Sequence, residues 1–137
     1  MTDIAVRPIG IVASGLSHRT GAPRQPDEGA PPASVHVDPE WQEGLDGIRA
    51  GHRIVLITWL DRANRSTLRV HPRGNRTGAP QGVFSTRSPD RPNPIGLHEV
   101  TVTGVDRLCI HVDGLDAIDG TPVLDIKPVL APHIADR

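Results

Sequence analysis

Gly82-Val-Phe-Ser-Thr-Arg-Ser-Pro-Asp-Arg-Pro-Asn-Pro-Ile-Gly-Leu97 is the stretch on which the reading of this sequence turns. Val83 to Ser88 has the β-branched and aromatic content of a strand. Pro89, Pro92 and Pro94 then remove three backbone donors and hold φ at roughly −65°, so a ladder cannot continue past Ser88. The expectation is a strand that runs into a stiff loop. Arg87 and Arg91 flank the corner, and each guanidinium presents a planar fork of donors suited to a carboxylate or a phosphate. The loop reads as one built to hold an anion. Turns concentrate Pro, Gly and Asn for conformational reasons alone, so a purely structural corner is the competing reading of the same residues.

The charge around this stretch is lopsided. Residues 61–91 hold Arg62, Arg65, Arg69, Arg73, Arg76, Arg87 and Arg91 against Asp61 and Asp90, which is +5, whereas the whole chain is −1 and the remainder therefore −6. A concentrated basic strip is an electrostatic footprint for phosphate or carboxylate even in a near-neutral protein, and a solvated strand face is its plainer interpretation. The length of 137 residues fits one domain with a real core. That core must be aliphatic, since there is no Tyr and the only aromatics are Trp41, Trp59 and Phe84. No apolar run approaches the roughly 20 residues that span a bilayer, and no charged-then-apolar signal pattern opens the sequence, so a cytoplasmic, non-membrane protein is expected.

Upstream, residues 4–12 read as a first strand interrupted at Pro8, and residues 13–34 as a long Gly/Pro-rich loop. Val35 and Val37 predict a brief strand. Asp38-Pro39-Glu40 predicts a helix start, with Trp41, Leu45 and Ile48 as one apolar stripe and Gly51 as its end. Ile54-Val-Leu-Ile57, a continuous apolar run, predicts a central strand buried on both faces within Arg53–Leu60. Thr67 to His71 alternates, so Leu68 and Val70 are expected to face inward and Arg69 outward. Downstream, Val100, Val102 and Val105 read as a strand, Asp106-Arg107 as a turn, and Leu108, Ile110 and Val112 as its hairpin partner. Leu115 to Gly120 is an acidic loop, Val123 to Ile126 a last strand closed by Pro128, and residues 131–137 a tail.

Eight short β-like segments with one short helix and no strand–helix alternation predict an all-β or β-dominated fold, a single small antiparallel β-barrel-like domain with residues 4–130 as its ordered part. No strand opens through a Gly-rich turn into a helix, which excludes a doubly wound dinucleotide fold. The single Cys109 forms no internal disulfide and reads as structural. His18, His36, His52, His71, His98, His111 and His133 contain no pair at i, i+3 or i+4, so no metal is expected, and each reads as a solvated strand-face histidine. Asp116 and Asp119 read as turn formers or as a stock of carboxylates.

Residues 82–97, together with Asp119-Gly-Thr-Pro-Val-Leu-Asp-Ile-Lys-Pro128, resemble the two signature blocks of the TsaA-like, or tRNA methyltransferase O, family. Ile9-Gly-Ile-Val12 and Pro23-Arg24-Gln25 are similar to its amino-terminal landmarks, and the resemblance spans most of residues 7–130. It implies a β-barrel enzyme that uses S-adenosyl-L-methionine, a homodimer with the cofactor near the subunit contact. By matching motif positions it implies cofactor contacts at Pro23, Arg24, Gln25, Asp61, Arg62, Arg87, Leu97, Leu115, Asp116 and Ala117. Arg91, Asn93 and Lys127 are the candidate acceptor contacts, and the strip from Arg62 to Arg91 the phosphate track. The implied reaction is N-methylation of threonylcarbamoyl-modified adenosine in tRNA. Because three aromatics offer few faces for stacking a base, a small-molecule amine or carboxylate acceptor stays open. So does a different class, a non-enzymatic anion-binding β-barrel module. Methyl transfer requires no covalent nucleophile, and no catalytic residue is assigned.

Overall fold

The computed structural model describes residues 3–15, 32–71 and 78–130. Its strands are β1 (Gly10–Ala13), β2 (Ala33–Val37), β3 (Arg53–Trp59), β4 (Arg69–Val70), β5 (Gln81–Gly82), β6 (Ile95–Asp106), β7 (Cys109–Asp113) and β8 (Pro122–Pro128). Six of them close a barrel in the order β1-β2-β7-β6-β3-β8, every neighbouring pair antiparallel. β4 and β5 form a separate two-residue ribbon.

The core follows from period-two alternation. Val12, Val35, Ile54, Leu56, Val100, Val102, Ile110, Val112 and Val123 point inward and are essentially inaccessible. Each such aliphatic side chain contributes about 1.5–3 kcal/mol of transfer free energy. As the composition dictated, no aromatic lies among the fully buried residues, and six strands leave an interior that aliphatic side chains fill. β3 is central, paired along its length with β6 and β8, but it is not buried on both faces: Ile54, Leu56 and Thr58 are buried, whereas Val55, Ile57 and Trp59 on the barrel's outer face are only half-buried. At Gly10 a Cβ would lie 2.2 Å from the carbonyl oxygen of His36, so the close β1–β2 approach requires glycine.

Several expectations are corrected. The strand expected from residue 4 begins only at Gly10, and Ile4 and Val6 are exposed. Pro8 has no N–H to donate, and pairing starts beyond it, where Ile9 N donates to Val123 O at 2.8 Å. The segment after Asp38 is a 3-10 helix, Pro39–Leu45, with no side-chain cap from Asp38. Gly44 and Gly47 deprive it of helix propensity, and Gly47, at φ 96°, ends it before Gly51 is reached. Leu45, Trp41 and Ile48 still pack on the core as the stripe predicts. Leu68 is 62% exposed rather than inward, because the β4–β5 ribbon has no core behind it. β6 is one long strand, and Val105 lies past a register shift between Val102 and Gly104, which leaves it partly exposed.

The strand directions place β3's end, β6's start, the β1–β2 connection and the β7–β8 loop at one end of the barrel, here the upper end. The 3-10 helix Pro39–Leu45 and the β6–β7 turn, with Arg107 at φ 55°, lie at the other.

Candidate functional site

The proline-rich stretch is not a strand that enters a loop. After Gly82, the last residue of β5, Val83–Ser85 is a 3-10 turn, and strand resumes only at Ile95. Hydroxyls account for this, since Ser85 Oγ donates to Gly82 O at 2.8 Å and Thr86 Oγ1 to Val83 O at 3.0 Å, and such local bonds compete with a ladder. Arg91 completes the corner. Its Nε donates to Ser88 O at 2.7 Å and its Nη2 to Val83 O at 2.7 Å and Thr86 O at 2.5 Å. A guanidinium has five N–H groups, so only the Nη1 pair remains for a ligand.

The turn after β3 is laced to this corner. Leu60 N donates to Pro94 O at 2.8 Å and Asn64 N to Asp90 Oδ1 at 2.8 Å. Arg65 donates from Nε to Pro92 O at 2.7 Å and from Nη2 to Asn93 Oδ1 at 3.1 Å, while its Cζ lies 5.0 Å from the Trp59 ring centroid. Arg65, Arg91 and Arg69, which reaches Pro80 O at 3.4 Å, therefore serve as internal ties of the basic strip. Asp61, Arg62 and Arg87 are exposed beside them. Arg87 makes no hydrogen bond or ion pair among the described residues.

β7 pairs with β6 only from Thr101 to Asp106, so the upper half of β6 is free for the β7–β8 loop to cover. Leu115 and Ala117 bury themselves in the core and pin that loop. Asp116, between them, turns to β6, where its Oδ1 lies 2.8 Å from His98 Nδ1. His98 Nε2 in turn lies 2.8 Å from Thr58 Oγ1. Gly96 makes the contact possible: a Cβ there would sit 2.5 Å from Thr58 Oγ1 and 2.8 Å from His98 Nε2. Leu97, of opposite parity, is 51% exposed on the outer face, paired with Ile57 and beside the Trp59–Ile95 pair.

Of the sequence-predicted residues, Asp61, Arg62, Arg87, Leu97 and the Leu115–Ala117 segment thus gather at the upper end. Arg91 and Asn93 lie in the wall of the corner. Lys127 does not join them: it sits opposite Val55 on β8, with Asp125 at 3.3 Å. Pro23, Arg24 and Gln25 lie outside the described residues, though the connection that carries them leaves β1 and enters β2 at this same end. Ser14 N donates to Asp119 Oδ1 at 2.9 Å, which ties the start of that connection to the acidic loop.

His98 and Thr58 escaped the sequence reading. His98 is 9% exposed and is not a solvated strand-face histidine. Parity was the available signal, because His98 shares the inward face with Val100 and Val102. Cys109 is partly exposed on the outer face, its Sγ 3.7 Å from His111 Nε2 and 4.0 Å from His36 Nε2. Among the described residues no group of three His, Cys, Asp or Glu is arranged to hold a metal, and no helix is long and apolar enough to cross a membrane. A cleft of about 470 Å³ lined by Ile48, His52, Arg53, Ile54, Ile126 and Val129 lies at the opposite end and contains none of the predicted site residues.

The model of the tRNA-methyltransferase O N-terminal domain matches residues 11–134. A protein of Methanothermobacter thermautotrophicus described as a probable S-adenosyl-L-methionine-binding protein is 43% identical over 126 residues, 92% of this chain and 90% of the relative. An S-adenosyl-L-methionine-binding protein of Archaeoglobus fulgidus is 42% identical over 122 residues, 89% of this chain and 86% of the relative. The crystal structure of TrmO from Pseudomonas aeruginosa is similar with a TM-score of 0.77 and 31% identity, over 99% of this chain and 61% of that one. The chain therefore spans about three fifths of the length of that solved structure.

Proposed function

Because the chain belongs to the tRNA-methyltransferase O family, we propose that it is an S-adenosyl-L-methionine-dependent methyltransferase that N-methylates threonylcarbamoyl-modified adenosine in tRNA. The observation that carries this reading is the 2.8 Å contact between His98 and Asp116, which joins the strand that follows residues 82–97 to the loop that precedes Asp119–Pro128 at one end of the barrel.

The residues there suit the cofactor. Its carboxylate needs a cation, and Arg87 and Arg62 are exposed. Its ammonium and ribose hydroxyls need an anion, and Asp116 and Asp61 offer carboxylate oxygens. Leu97 supplies apolar surface, and Leu115 and Ala117 act through the backbone they fix. When bound, the cofactor contributes an electrophilic methyl group on its sulfonium. The protein has to hold acceptor and donor in line and exclude water, and the stiff corner tied by Arg91 and Arg65 is suited to that positioning. On this reading Arg91 and Asn93 contribute mainly by shaping the corner, and the acceptor meets its exposed tip, Phe84 and Arg87. Phe84 is 79% exposed.

We assign the enzyme to the cytoplasm, where tRNA and cofactor occur together, and to a homodimer. Ile95 and Leu97 expose apolar surface on the outer face of β6, next to Trp59 and Ile57 of β3, and a second copy is the occupant the family resemblance implies. Calorimetry with S-adenosylhomocysteine tests the cofactor assignment. Micromolar binding is expected, and no heat at millimolar ligand would leave the non-enzymatic barrel module in its place.

A further inference from the structure

Among the described residues His98 is the only buried histidine, and both of its ring nitrogens are engaged. On one side stands Thr58, wholly buried near the end of β3 and fixed by pairing to β6 and β8. On the other stands Asp116, which belongs to a loop with no ladder of its own. An imidazole between a rigid hydroxyl and a loop carboxylate transmits the rigidity of the strand to the loop. Asp116 gives Oδ1 to this contact, and its Oδ2 makes no hydrogen bond among the described residues. Its side chain is 20% exposed against 10% for His98, so Asp116 is the end of the chain of groups that faces solvent. An aspartate has two side-chain torsions, and pinning Oδ1 fixes the second, hence the direction of Oδ2.

We propose that His98 is a positioning residue: its Nδ1–H holds Asp116 Oδ1 so that Oδ2 is presented to a hydrogen-bond-donating group of the bound cofactor, with Thr58 Oγ–H donating to Nε2 to fix the imidazole. The inference rests on the reading of Asp116 as a cofactor contact. It assigns no proton transfer to His98. Preorganisation of this kind lowers the cost of ordering the site on binding.

The test is calorimetry of the full chain with S-adenosylhomocysteine, with thermal melting to establish folding of each variant. An asparagine amide nitrogen at position 98 falls near the place of Nδ1, whereas a glutamine amide reaches toward Thr58 but leaves no donor there. His98→Gln is expected to weaken binding about tenfold, His98→Asn to restore it to within about threefold of the parent, and His98→Gln to add less than about twofold on top of Asp116→Ala. Equal losses for Gln and Asn, or no loss for either, overturn the positioning role while Asp116→Ala still weakens binding. If Asp116→Ala itself leaves affinity unchanged, the cofactor reading of Asp116 fails and the proposal with it. A measurement on the unaltered protein covers the case in which the variants do not fold: nitrogen-15 chemical shifts of His98 must show a protonated Nδ1, and an unprotonated Nδ1 overturns the proposal.

Discussion

The Nη2 of Arg91 donates to the carbonyl oxygen of Val83 at 2.7 Å, across the full width of the proline-rich corner. Val83 is itself 1% exposed, and its N–H donates to Leu68 O at 2.9 Å, so one guanidinium joins the corner to the ribbon that leads into it. A neutral side chain cannot replace these bonds. Arg91→Ala is expected to cost about 2–3 kcal/mol, since bonds from a charged donor are worth roughly 1.5–3 kcal/mol and the carbonyls are left short of partners. Thermal unfolding would show this as a melting point lower by roughly 5–15 °C. Arg91→Lys, which keeps the charge but loses the fork, is expected to recover less than half of the loss. An unchanged melting point for Arg91→Ala would return Arg91 to the role of a free acceptor contact.

Gly96 separates conformational from steric demands. A Cβ at this position would lie 2.5 Å from the Thr58 hydroxyl and 2.8 Å from His98 Nε2, with Leu60 Cδ2 at 3.2 Å. Gly96→Ala must therefore push Thr58 and His98 apart, a fault of the overpacking kind that costs about 1–3 kcal/mol. The expected signature is a lower melting point together with weaker cofactor binding in the folded fraction. Equal affinity would show that the Thr58–His98–Asp116 contacts have no part in the cofactor site.

How much of this was legible in the sequence follows from which force decides each element. Where one face is buried, parity decides, so β2 and β7 and their inward valines and isoleucine were readable, whereas the unbroken apolar run of β3 gave the strand and its central place but concealed which face is inward. Where hydroxyl-to-backbone bonds decide, parity misleads: Val83 to Ser88 carries strand-forming residue types, yet the Ser85 and Thr86 side chains fold it into a 3-10 turn. Leu68 failed for a third reason. Alternation says which residues share a face, and only tertiary structure says whether a core stands behind that face. The site divides in the same way. The exposed Arg87, Asp61 and Arg62 were readable from charge and motif, but that Arg65 and Arg91 are tied to the corner depends on carbonyls that no side-chain pattern records. His98 was passed over because histidine spacing was weighed for metal binding, whereas its inward parity was the informative property.

Arg87 is the complement of Arg91. It is exposed and makes no bond among the described residues, so Arg87→Ala is expected to leave the melting point within about 1 °C of the parent, as for a surface substitution. Affinity for S-adenosylhomocysteine should fall by about 1.5–3 kcal/mol, or about 10- to 150-fold, the range for a lost charge-assisted hydrogen bond. A falling melting point with constant affinity would make Arg87 a structural corner residue after all.

The outer face of β6 bears on assembly. Leu97 and Ile95 are 51% and 46% exposed, and Leu97 pairs with Ile57 across the ladder. A charge placed at Leu97 meets solvent in a monomer but is buried in a dimer that uses this face. Light scattering is expected to show a dimer for the parent and a monomer for Leu97→Glu at micromolar concentration, with the monomer binding cofactor less tightly. A parent that is monomeric at that concentration removes the shared-site reading without touching methyl transfer.

The acceptor is decided at the tip of the corner. Phe84 is 79% exposed on the 3-10 turn, Trp59 is covered by Arg65, and Trp41 packs against the core, which makes Phe84 the one aromatic face among the described residues open to a splayed base. Stacking of a base on such a ring is worth about 1–3 kcal/mol, and phosphate contacts from the neighbouring arginines make binding steeply salt-dependent. Incubation of tRNA with the protein and S-adenosyl-L-methionine, followed by nucleoside mass spectrometry, is therefore expected to yield methylated threonylcarbamoyladenosine in an amount that falls sharply with added salt. Phe84→Ala should lower that yield at subsaturating tRNA by about 5- to 150-fold, as the same stacking energy implies, while leaving cofactor affinity unchanged. Unmodified tRNA alongside cofactor turnover with a mixture of amine and carboxylate metabolites would assign the acceptor to a small molecule, and Phe84→Ala would then leave turnover where it was.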